Sequence, residues 1–389
     1  MGGWDHLNNL ALMCYTEYLL VGISNTIIPT LMPLLISDFG LDLKSASVIF
    51  PARSIGALVV GLIAGLWLDA AGYKMLAVLG GLLSGVGLFL VAGSPSWAVF
   101  VLGFVVIGIA QSGLSTAINT LTADLGAEFR AKRLNFLHGA FSLGALFGPF
   151  LFASAWDWRL AVRLTAVLWC GFGIWALVQT YPQRQKQQAA KAWHDLRIIK
   201  ERAMLYCLVI AFTYNGIANG LLGWVTTYFQ ETGRIVVFLS FGAVSLHYAG
   251  VSAGRFTCGF LSSRFKPGQI IMMCGLGGLV GYTLVLTGTS TAFLVAGLLI
   301  GGLSLAGLYP TALAHAHSMG SGPRGTVTAF MRIAMSLGSM LPPLWTGLIA
   351  AQWGLKAGMA VNGLLFVPLL LVGYQWLPKG KQTAGEMSV

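Results

Sequence analysis

Charge is scarce in this chain, and acid is scarcer still. Only 9% of its 389 residues are charged, with twelve Asp or Glu against 23 Lys or Arg, where soluble domains carry roughly a quarter. That deficit excludes an ordinary water-soluble fold. The five cysteines (Cys14, Cys170, Cys207, Cys258, Cys274) stand singly within apolar runs. They imply neither a disulfide framework nor a thiolate metal site, and they read as small core residues. Enzyme signatures are missing too: no His-Glu-x-x-His, no Gly-x-Ser-x-Gly, no phosphate loop, no carboxylate pair at membrane depth. The chain is therefore read as not an enzyme, and no cofactor is expected. No sizeable polar domain exists to receive a signal, which argues against a membrane sensor. Met1 to Asn9 is polar, without a basic region or cleavage site, so no cleavable signal peptide is expected.

What is present is apolar residues, 56% of the chain, in runs near the ~20 residues that cross a bilayer core. Lipid admits only helices or closed barrels, and the alternating ten-residue pattern of a barrel is missing. The fold class is an all-α membrane protein, multi-pass in the cell membrane (bacterial inner or plasma membrane). Twelve spans are expected, at 11–36, 45–68, 74–93, 97–122, 134–153, 159–181, 203–229, 237–262, 268–288, 291–317, 326–350 and 356–377.

The chain is a duplication with an offset of 194. Gly22-Ile23-Ser24-Asn25 falls on Gly216-Ile217-Ala218-Asn219, and Ser142-Leu143-Gly144 on Ser336-Leu337-Gly338. Of the 22 glycines before residue 196, ten find a glycine 194 residues later, where random placement gives about three. The expected units are two six-helix bundles, 1–181 and 203–389, joined by 182–202. That connection is basic, with Trp193, Leu196 and Ile199 near helical spacing. It reads as a short helix on the inner leaflet or as a disordered linker. With both termini on one side, fifteen Lys or Arg lie on that side and four on the other. Positive charge stays in the cytoplasm, so both termini are expected there. The +11 charge is thereby a matter of topology, and no nucleic-acid partner is expected.

The hairpin between the second and third spans carries Gly65, Asp69, Gly72 and Lys74, with Ala70 after the aspartate. Six plus six spans, a basic central loop and this hairpin resemble the major facilitator superfamily. The family pattern has a basic residue where Ala70 stands. Ala52-Arg53-Ser54-Ile55-Gly56, Arg133 to His138 with Gly144, and Gly254-Arg255-Phe256-Thr257 through Arg264 resemble more narrowly the fucose permease branch and the related sodium-linked glucose carriers. The resemblance implies a monomeric secondary carrier working by alternating access, with a small-molecule substrate and a co-transported proton or sodium ion. It also implies a gating network, here drawn from Asp69, Arg53, Arg130, Arg255 and Arg264.

In such two-half carriers the first and fourth span of each half line the path. Polar residues there are site candidates: Glu17, Ser24 and Asn25; Gln111, Ser115 and Asn119; Tyr214, Asn215, Asn219 and Trp224; Tyr309, Thr311, His315 and His317. Asn25 and Asn219 are repeat-equivalent, so they face each other across the pseudo-two-fold axis; the competing reading has them bonding neighbouring helices. Trp224 is a stacking platform or an interfacial anchor. The flanking spans add Arg53 with its equivalent His247, and His138 with its equivalent Arg332. For Arg53 the alternative is snorkelling to headgroups. Coupling falls to Glu17 and the histidines, His247 among them, because Asn25, Ser115 and Ala218 stand where the branch places carboxylates; Glu17 is otherwise a salt-bridge partner. His315 and His317, two apart, point about 200° from one another, which excludes a shared metal. The expected cargo is a small hydroxylated solute, a sugar in kind, because amides and an indole suit a hydroxyl-rich ring. The alternatives are an organic anion such as a sugar acid, suggested by Arg53 and Arg332, and a drug or lipid exporter.

Overall fold

The computed structural model describes residues 2–125, 130–153, 157–182, 201–233, 240–262, 264–318 and 324–377, helical with no strand among them. Nine segments of these residues are long and apolar enough to cross a bilayer. Phe136–Phe152 and Ala243–Leu261 supply a fifth and an eighth pass, and Val327–Gln375 holds two passes divided at Gly354. Twelve passes result. The linker helix considered for 182–202 falls almost wholly outside the described residues.

Prolines decide where the spans break. A proline lacks the N–H that would bond the carbonyl four residues back. The first span is two helices, Gly2–Asn25 and Ile27–Phe39, parted at Thr26 ahead of Pro29. The second begins as Leu43–Ser47 and resumes at Ile49, ahead of Pro51. The tenth stops at Leu305 and resumes at Leu308, ahead of Pro310. Span 7 has no proline and runs unbroken over Arg202–Thr232. Two of the hairpins are tighter than the sequence suggests. The second and third spans turn on Gly72 (φ 74°), the eleventh and twelfth on Gly354 (φ 79°), a left-handed backbone open mainly to glycine.

The duplication is visible atom by atom. A methyl added at Gly103 would lie 2.9 Å from the Gly87 carbonyl oxygen and 3.2 Å from the Val91 nitrogen. At Gly297, its equivalent, a methyl would lie 2.8 Å from the Gly281 carbonyl and 2.9 Å from the Val285 nitrogen. Each partner is 194 residues from its counterpart. In the same way Gly108 faces the carbonyl of Arg53 and Gly302 that of His247. Small residues let these backbones touch where lipid offers no hydrophobic drive to bring helices together.

The first six spans meet the last six along three seams: second against eleventh, fifth against eighth, first against seventh. On the side away from the termini the seam is tightly packed. The Phe50 ring meets Trp224 at 5.8 Å, and Gly223 leaves room for it. Gly347 lies against Leu43, Ser47 and Trp224.

Candidate functional site

Between the halves lie two adjoining cavities. The one nearer the termini, about 200 Å³, is lined by Arg53, Gln111, Ser115, Arg332 and Ser336 among others. The deeper one, about 170 Å³, is lined by Asn25, Phe50, Arg53, Ser54, Asn219, Tyr248 and Ser339 among others. Arg53, Ala57 and Ser336 belong to both, so the two adjoin at these residues, and the Phe50–Trp224 contact packs the seam at the far end.

Asn25 ends the first helical piece, where Pro29 removes its carbonyl's helical partner. Its amide donates across the seam to the Tyr248 hydroxyl at 3.2 Å. Asn219 lines the same cavity and donates back along its own helix, to the Asn215 carbonyl (2.8 Å) and side-chain oxygen (3.0 Å). Ser54 and Ser339 meet at 3.3 Å. Apart from Arg53 this wall is neutral, rich in donors and acceptors, and has an aromatic side in Phe50 and Tyr248.

Span 4 presents Gln111, Ser115 and Asn119 at intervals of four, one face of a helix. Gln111 Oε1 accepts from Arg53 at 3.4 Å, while its amide nitrogen is buried with no partner. Ser115 donates to Glu17 Oε1 at 3.0 Å. Glu17 is fully buried and its second oxygen has no partner, so no basic neighbour among the described residues pairs with it. Ser115 lines the cavity, which puts the carboxyl one hydroxyl behind the wall. Asn119 donates to the Tyr18 hydroxyl and to the Ser115 carbonyl (2.7 Å).

Two contacts tie the halves on the terminus side. Arg255 donates to the His138 carbonyl (2.8 Å) and the Ser142 hydroxyl (2.5 Å). Arg332 donates to Thr116 Oγ1 at 3.3 Å. The His138 ring meets Tyr18 edge-on at 5.4 Å and is exposed. Tyr309 stacks on Tyr214 at 6.4 Å.

Several expected residues lie elsewhere. Trp224 is fully buried and gives its N–H to the Pro343 carbonyl at 2.9 Å. Here it is part of the far-side seal, neither a cavity platform nor an interfacial anchor. Asn215 donates to the Met335 carbonyl at 2.7 Å, joining spans 7 and 11 within one half. His247 is 1% exposed, with Nδ1 unpartnered, packed against Tyr248 and absent from both cavity walls. Arg264 is exposed and covers the Phe260 ring at 4.6 Å. The side chains of Asp69 and Arg130 lie outside the described part. No group of metal ligands occurs among the described residues.

Sequence reasoning passed over Tyr248, Ser54, Ser336 and Ser339. They belong to spans 2, 8 and 11, whereas the search for wall residues centred on spans 1, 4, 7 and 10. The signal was there: Tyr248 is the equivalent of Ser54, a polar residue in both copies beside Arg53 and His247.

A path between two six-helix repeats, sealed at one end, is the geometry of an alternating carrier. A model of the Major Facilitator Superfamily matches residues 17–287 and 239–386. The chain belongs to that superfamily. It is 24% identical over 387 residues to an uncharacterized MFS-type transporter, YfkL, of Bacillus subtilis (strain 168), covering 93% of this chain and 96% of the other. It is 23% identical over 379 residues to sodium-dependent glucose transporter 1A of Mus musculus, covering 87% and 89%. Among solved structures, a single-residue mutant of the nucleoside transporter NupG superposes with a TM-score of 0.81 at 14% identity, covering 95% of this chain and 99% of the other. That likeness shows the fold. As a major facilitator the chain is a multi-pass membrane transporter and not an enzyme.

Proposed function

We propose that this carrier moves a small hydroxylated, sugar-like solute across the membrane by alternating access, as a monomer with both termini in the cytoplasm. The observation that supports it best is the deeper cavity wall: Asn25, Asn219 and Tyr248 from the two halves, with Ser54, Ser339 and the Phe50 ring. Such a ring offers hydroxyls to amides and a C–H face to an aromatic. A mouse relative is named for glucose and a structural neighbour for nucleosides, and both of these cargoes contain a hydroxylated ring.

In this reading the halves 1–181 and 203–389 rock about the cavity, which here is closed outward by Phe50 and Trp224. Arg255 and Arg332 hold the inner side until solute or rocking releases them. Glu17, buried one hydroxyl from the path, is the group placed to carry a co-transported proton. Purified protein in liposomes, given labelled hexoses under imposed proton or sodium gradients, tests the reading. Saturable uptake competed by other hydroxylated rings is expected, and a panel in which no such ring enters or competes would sink it.

A further inference from the structure

Two arginines face one cavity, and among the described residues no carboxylate faces it with them. Arg53 comes from the first half and Arg332 from the second, and no Asp or Glu is among the described residues lining that space. Among the described residues both guanidinium groups rest on long bonds to neutral acceptors, Gln111 Oε1 at 3.4 Å and Thr116 Oγ1 at 3.3 Å. Arginine at membrane depth is costly unless it meets a partner, water or cargo. The amide nitrogen of Gln111, on the same wall and buried, has no acceptor. Glu17 bonds to neither arginine among the described residues: its Oε1 accepts from Ser115 and its Oε2 has no partner. The wall therefore holds an excess of positive charge and of donors.

We propose that this cavity takes a carboxylate, so that the cargo is a sugar acid gripped by Arg53 of one half and Arg332 of the other. This rests on the sugar-like reading above and narrows it. The hydroxyls fall at the Asn25–Asn219–Tyr248 end and the acid at the arginine end; Arg53, Ala57 and Ser336 line both spaces, so one molecule spans them. Guanidinium groups present a planar fork that matches a carboxylate. The cavities, about 200 and 170 Å³, are each smaller than the ~300–1,000 Å³ of common ligand pockets, which favours one ring with one small acid group.

Binding to the purified full-length protein in detergent is measured with D-glucuronate, D-gluconate, D-glucose, sorbitol and glucose 6-phosphate. The acids are expected to bind at least about tenfold more tightly than glucose, a difference of about 1.4 kcal/mol. Arg332→Gln is expected to remove that preference by weakening the acids about tenfold more than glucose, and Arg332→Lys restores part of it. The exposure of Arg332 makes misfolding of these variants a small concern, and retained glucose binding reports on it. Glucose binding as tightly as glucuronate, or Arg332→Gln weakening both alike, overturns the acid site while leaving the sugar-like reading in place. Preference for the phosphate over both carboxylates overturns it as well. Failure of every compound to bind overturns both.

Discussion

Asn25 and Tyr248 join across the seam: the amide of the first span donates to the phenol of the eighth at 3.2 Å, inside the cavity. Neither residue has a like counterpart in the other copy at its equivalent contact. Asn219 turns back along its own helix, and Ser54, the equivalent of Tyr248, meets Ser339. Two bonds therefore cross the seam at the cavity, Asn25–Tyr248 and Ser54–Ser339, while the Asn219 amide stays on its own helix.

Tyr248→Phe and Asn219→Ala are expected to raise the half-saturating solute concentration by roughly 3- to 10-fold, the worth of one or two hydrogen bonds at ~0.5–1.5 kcal/mol each. Asn8→Ala, at an exposed position near the start of the first span, is the control. Uptake kinetics in liposomes measure both, and equal behaviour of Asn219→Ala and Asn8→Ala removes the central assignment.

Glu17→Gln keeps the bond from Ser115 and loses the proton. Driven uptake in this variant is expected to stop responding to an imposed pH gradient, while solute exchange at equal pH continues. A gradient response that survives the substitution takes Glu17 out of the coupling scheme.

Arg255 holds the fifth span to the eighth through the His138 carbonyl and the Ser142 hydroxyl. Hydrogen bonds from a charged donor contribute about 1.5–3 kcal/mol, so Arg255→Gln is expected to shift the balance roughly tenfold or more toward separation on that side. Spin labels at the terminus-side ends of these two spans would report a longer mean distance. An unchanged distance distribution counts against a gating role.

Gly108→Ala puts a methyl group into the Arg53 carbonyl and is expected to cost about 1–3 kcal/mol through overpacking. Gly171→Ala, with nothing within 4 Å, should gain up to ~1 kcal/mol of helix preference. Unfolding temperatures in detergent separate the two. Opposite signs are expected, and equal shifts would contradict the close approach.

The fold was legible because lipid leaves little choice. Apolar runs of helix length and a 194-residue offset shared by glycines give twelve spans in two copies, and Gly103 and Gly297 make matching contacts for that reason. The breaks at Thr26, Val48 and Ala306 were also written in Pro29, Pro51 and Pro310, though a reading by hydropathy alone runs across them. The site was harder. Asn25, Asn219, Arg53 and Arg332 come together because polar groups at membrane depth must face something polar. Trp224 and His247 did not follow, because sequence gives depth along a span and not rotation about it. His247 and Arg53 occupy equivalent backbone positions, each laying its carbonyl over a glycine, and only one of the two side chains reaches the path. Tyr248 was missed because a phenol among apolar neighbours looks like core until its oxygen is seen to meet another helix.

The interruption ahead of Pro29 carries a last implication. Pro29 cannot answer the carbonyl of Asn25, and hydrocarbon would leave such an oxygen stranded; Asn25, Ile28 and Pro29 line the cavity instead. The interruption of the first span and the cavity therefore coincide, so the residue that bends the helix also shapes the room left for cargo.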